Sequence, residues 1–151
     1  MAHLDDNSLH TVFPQASDLA VSDVEVIGQL AFLAAEIDLD EDVLERPILD
    51  VINRGLWAQT GKPPQPIIPI SPLPLDREER VRWLRELVPQ LTSAHARDLA
   101  YLAAYVVVVI DLELAPVESE FLTDLQLALG IDDDRAAELR DSAVRAITPA
   151  E

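Results

Sequence analysis

The chain predicts an all-α fold: a single-domain bundle of about six helices, two pseudo-repeated helical hairpins joined by a proline-rich connector. Three observations predict it. Glycine is scarce, 4 residues in 151, while hydrophobic residues reach 49%, a balance that favours helices over a sheet rich in turns. Apolar residues recur at helical spacing through most of the chain. The longest apolar run, Leu99 to Ile110, holds 12 residues with no Gly or Pro, which suits a buried helix. A chain of this length and apolar content can bury a substantial core.

Residues 1–16 are polar, carry Pro14 and show no period, and read as a loose N-terminal arm. They lack a basic stretch followed by an apolar core, so no signal peptide is expected. His3 and His10 lie there. With His95 they are the only histidines, and a histidine metal site needs convergent ligands, so all three read as incidental.

The helical domain is expected over residues 17–147, with 148–151 as a tail. A first helix over 17–36 puts Leu19, Val26, Leu30 and Leu33 on one face. Ser22 and Glu25 have the spacing of a capping box, so regular helix could begin there. Six acids in ten residues follow, Glu36 to Glu45. Asp38, Asp40 and Asp42 match the first ligands of an EF-hand loop, but Val43 stands where the turn Gly is needed and Leu49 where the bidentate Glu is needed. The EF-hand is therefore excluded.

A second helix over 41–59 turns Leu44, Ile48, Ile52 and Leu56 inward. Pro47 lies too deep to be its first residue, so a kink or break is expected there. The connector, 61–75, carries six prolines between Lys62 and Pro74. It cannot be a regular helix or central strand and reads as extended. Ile67, Ile68, Ile70 and Leu73 suggest that it lies against the body of the protein; the alternative is a partner's aromatic groove.

Asp76 caps a third helix to about Val88. This helix holds Arg77, Arg80, Arg82 and Arg85, four of the chain's 11 basic residues, expected to answer the protein's own carboxylates. The fourth helix starts at Thr92 or Ser93 and runs to about Asp111. Its β-branched stretch, Val106 to Ile110, favours a strand by propensity, but length and the absence of a breaker favour helix. Pro116 suits the first position of a fifth helix, which ends at Gly130. Asp132 or Asp133 caps a sixth, to about Ile147.

Net charge is −17. That field opposes a phosphate backbone and an anionic membrane surface, and favours cations and basic proteins. No apolar run approaches the roughly 20 residues needed to cross a bilayer, so direct membrane insertion is not expected and a cytoplasmic protein is. The absence of Cys excludes thiolate ligands and a cysteine nucleophile. No Gly-rich phosphate loop, no nucleophile elbow and no di-iron Glu-x-x-His pair appears, so the chain is not expected to be an enzyme.

A shift of 75 residues aligns the two acidic turns: Glu36 falls on Asp111, Asp38 on Glu113 and Leu39 on Leu114. Each turn follows an apolar helix and precedes an amphipathic one. Asp111, Glu113, Leu114, Pro116, Glu118, Phe121, Leu122 and the Leu129–Ile131 ending fall in order on the pattern of the TerB-like family, small helical domains of tellurite-resistance proteins, which this chain resembles over about residues 20–147. Leu112 and Ile37 stand where that family has glycines, and Val43 where it has Glu. The resemblance implies an all-α bundle, a role in stress or membrane-associated complexes, and acidic residues that bind a divalent cation. In this chain those would be Asp111, Glu118, Glu113, Glu36 and Asp38, with Ca²⁺, Mg²⁺ or Mn²⁺ as the ion.

Carboxylates clustered at a turn suit such hard cations, which take several oxygen ligands within about 2.0–2.6 Å. The same residues also suit plainer roles. Glu118 follows Pro116 by two positions, where an acid satisfies the helix start, and Asp111 can simply end its helix at the surface. Two functions stay open at this stage. One is a non-catalytic, cation-binding scaffold module. The other is an acidic helical adaptor or inhibitor that binds a basic protein without metal.

Overall fold

Every predicted helix is present, and among the described residues the starts of four of them carry a side-chain cap. The computed structural model describes residues 19–36, 45–58, 60–67, 76–109 and 116–147. Among these residues the elements are α1 (Val21–Glu36), α2 (Glu45–Ala58), α3 (Arg77–Leu87), a 3₁₀ turn (Val88–Gln90), α4 (Ala94–Val109), α5 (Pro116–Leu129) and α6 (Asp133–Ile147), with no strand.

Two caps follow the sequence closely. Asp76 accepts the Glu79 N–H at 2.8 Å, and Asp132 accepts the Arg135 N–H at 2.7 Å, each closing the first turn of its helix. At the start of α4 it is Ser93 that caps, accepting the Ala96 N–H at 3.1 Å. Gly130 adopts φ 71°, and the Ile131 N–H bonds the Gln126 carbonyl while the Gly130 N–H bonds that of Leu127, both at 3.2 Å. This is the Schellman ending, and it needs the left-handed residue that Gly supplies.

One expectation is corrected. The helix α1 starts at Val21, so Ser22 lies inside it and does not cap it. Asp23 does that work instead, its Oδ2 accepting the Ala20 N–H at 3.1 Å, the half of a capping box in which a third-position acid reaches back. Pro47 lies within the described part of α2, while residues 41–44, where the sequence places the start of this helix, lie outside the described residues.

The helix α4 is the centre. It touches α1, α2, α5 and α6, and its contact with α1 is the largest between helices among the described residues. Tyr101, Leu102, Val106, Val107 and Val108 are all buried on it. This explains how a β-branched run stays helical: burial of such side chains is worth roughly 1.5–3 kcal/mol each, against a few tenths lost to rotamer restriction. Ile27, Leu30 and Leu33 of α1, Ile52 and Leu56 of α2, and Phe121 and Leu125 of α5 complete the core. The helix α3 adds Leu84 and Leu87 to the core and packs mainly on α5.

Asp23 joins α1 to α4. It is 0% exposed, and it accepts the Thr92 N–H at 2.8 Å and the Thr92 hydroxyl at 2.7 Å. Thr92 lies two residues before α4, so the starts of the two helices are held together. Each has 16 residues and runs about 24 Å. With their starts joined and their bodies packed, they end on the same side of the pair.

Candidate functional site

Of the five carboxylates singled out by the sequence, only two belong to described helices. Glu36 is the last residue of α1 and Glu118 the third of α5. Asp38, Asp111 and Glu113 lie outside the described residues, as do the side chains of Glu36 and Glu118. The described helices nevertheless define the electrostatics at the ends of α1 and α4. Neither α1 nor α4 carries a basic residue in its last turn, where the negative end of the helix dipole favours a cation. Among the described residues no group of three or more His, Asp or Glu side chains converges.

A second feature, unread in the sequence, is a cleft of about 590 Å³ between α1, α2 and the strap formed by residues 60–67. Val21, Val24 and Glu25 line it from α1, Asn53 and Trp57 from α2, and Gln65 to Ile67 from the strap. The strap is docked at two points. Asn53 Nδ2 donates to the Gln65 carbonyl at 2.6 Å, and Ile67 packs over Gly28. A Cβ at Gly28 would stand 3.4 Å from Ile67 Cγ1, the distance of ordinary contact, so strap and α1 pack closely here. Ile67 therefore lies against the protein body as expected; Ile68, Ile70 and Leu73 are outside the described residues. No spacing or motif in the sequence marks this cleft.

The arginines of α3 meet the protein's own acids. Arg77 reaches Asp124 of α5 through Nε at 3.1 Å and Nη2 at 2.8 Å. Arg80, 5% exposed, pairs with Glu120 at 3.3 Å. Arg135 of α6 bridges to Asp98 of α4 at 2.7 Å, and Arg140 donates to the Tyr101 hydroxyl at 2.9 Å. The hydrogen bond to Asp124 raises the Arg77 pKa, and the one to Asp98 raises that of Arg135. Arg82 and Arg85 are exposed. His95, in the first turn of α4, is half-buried, and its Nε2 meets no hydrogen-bond partner among the described residues.

No family model, curated protein or solved structure matches the chain. Among the described residues, no helix is long and apolar enough to cross a membrane.

Proposed function

We propose that this protein is a non-catalytic, cytoplasmic binding or scaffold module of the TerB-like kind, associated with tellurite-type stress, that takes a divalent cation at its acidic end. One observation supports the reading: Asp23 and Thr92 hold the starts of α1 and α4 together, so the C-terminal ends of these two packed helices lie on one side of the pair. The chain at and beyond those ends holds Glu36 and Asp38 in one case, Asp111, Glu113 and Glu118 in the other. Their charges add to the negative ends of two helix dipoles with no basic residue in the last turn of either. A hard cation relieves that repulsion and suits an all-oxygen donor set.

The test is calorimetric titration of Ca²⁺ and Mn²⁺ into wild type, Asp111→Ala and Glu118→Ala. Binding lost or strongly weakened in both variants supports the site. No binding by wild type, or binding indifferent to both changes, ends it.

The internal use of arginine favours a second reading. Arg77, Arg80 and Arg135 are each paired with acids of the same chain, in a protein of net charge −17, so the outward field is acidic and suits a basic protein partner without metal. Salt-sensitive capture of such a partner, unchanged by chelator, would separate this reading from the first.

A further inference from the structure

The cleft between α1, α2 and the strap is independent of the acidic end and has its own chemistry. At about 590 Å³ it falls within the roughly 300–1,000 Å³ typical of small-ligand sites. Val24, Trp57, Pro66 and Ile67 give it apolar walls. Its strap wall is pre-formed, tied by Asn53 to Gln65 and seated over Gly28, so a ligand need not order it on binding.

The polar groups lining it are Glu25, Asn53 and Gln65, and no Lys, Arg or His is among the lining residues. Asn53 commits its amide N–H to the strap. Its Oδ1 stands 4.0 Å from where a Gly28 Cβ would be, and no donor among the described residues occupies it. Glu25 is exposed, with no cation paired to it among the described residues. A ligand therefore meets apolar walls beside a carboxylate and an amide oxygen, both hydrogen-bond acceptors.

That combination selects by charge. An anion would be opposed by Glu25 and by the net field of −17. A neutral ligand could fill the apolar part but would gain nothing from the carboxylate. An organic ammonium with an aromatic or aliphatic body satisfies both, donating to Glu25 and Asn53 while its body covers Val24 and Trp57. We propose that this cleft is a binding site for a small organic cation, a primary amine carried on an apolar body.

Three probes of one shape test it: 2-phenylethylamine, neutral 2-phenylethanol and anionic 3-phenylpropionate. Each is titrated into the full chain in the presence of EDTA, which removes the acidic end from the result. Amide chemical shifts locate binding and calorimetry measures it. The amine is expected to perturb Val24, Asn53 and Trp57 and to bind most tightly, the alcohol weakly and the acid not at all. Glu25→Gln, at an exposed position, should keep the circular dichroism of wild type and weaken the amine roughly tenfold, the scale of one charge-assisted contact. The proposal is overturned if the amine leaves those residues unperturbed. It is also overturned if alcohol or acid binds as tightly as the amine, or if Glu25→Gln leaves the amine's affinity unchanged.

Discussion

Both carboxylate oxygens of Asp23 are occupied, and two of the three donors belong to Thr92, 69 residues away: its N–H on Oδ1 at 2.8 Å and its hydroxyl on Oδ2 at 2.7 Å. The third donor is the Ala20 N–H at 3.1 Å. One buried acid thus closes the start of α1 and fastens it to the approach to α4. Removing it leaves two backbone N–H groups of a packed joint without an acceptor, and a hydrogen bond to a charged group contributes about 1.5–3 kcal/mol. Asp23→Ala is expected to cost about 3 kcal/mol in urea unfolding, and Thr92→Val about 1 kcal/mol, since it keeps the N–H bond. The two changes should be strongly non-additive in a double-mutant cycle. Additive losses would show that the pair is not a unit.

The docking of the strap over Gly28 sets a graded response to side-chain size. A methyl there meets Ile67 at 3.4 Å, a contact the neighbour can nearly accept, while Ala is favoured over Gly in a helix by up to about 1 kcal/mol. Gly28→Ala should therefore be close to neutral. Gly28→Leu has no room and should displace Ile67, seen as altered amide shifts through residues 60–67 and a lower melting temperature. A Leu variant with wild-type shifts would mean that the strap does not depend on this contact.

Two arginines one turn apart on α3 should behave differently. Arg77 is more than half exposed and Arg80 nearly covered. The Arg77 pair with Asp124 is screened by water and salt, so Arg77→Ala should produce a small loss that fades as ionic strength rises. Arg80→Met removes a largely buried guanidinium along with its pairing to Glu120 and should cost about 2 kcal/mol with little dependence on salt. Urea unfolding at low and high salt distinguishes the two; equal losses would contradict the burial difference.

Alkaline stability should report on Tyr105. Its ring stacks on Tyr101 with centroids 6.3 Å apart, and burial raises its phenol pKa above the ordinary 10.0. The folded state therefore favours the neutral phenol more than the unfolded chain does. The stability this contributes is fully present below pH 10.0 and is lost as pH rises through the higher folded value. Tyr105→Phe should flatten the fall of stability above pH 10, measured by urea unfolding at stepped pH. A slope unchanged in the variant would assign the loss to other groups.

The helices and most of their caps were legible because the information is local. The apolar periodicity of α1, the caps at Asp76 and Asp132 and the stop at Gly130 each depend on residues within about one turn. Ser22 misled for the same reason. Its spacing to Glu25 fits a capping box, and nothing nearby reveals that Asp23 is drawn to Thr92. The cleft was not legible at all. Val24, Asn53, Trp57 and Gln65 share no spacing, and only the packing of α2 and the strap on α1 assembles them.

By itself the sequence determined the all-α class, the order of six helices, the dominance of α4 and the acidic character of the surface. These follow from apolar period, helix-ending residues and a net charge of −17, quantities that need no knowledge of distant neighbours. The tertiary structure alone decided that Asp23 is a buried joint, that Arg80 is covered while Arg77 is not, and that a cleft opens beneath the strap. Each of those depends on which surfaces meet across dozens of residues, and burial converts an ordinary charge or glycine into a specific one only once the opposing surface is in place.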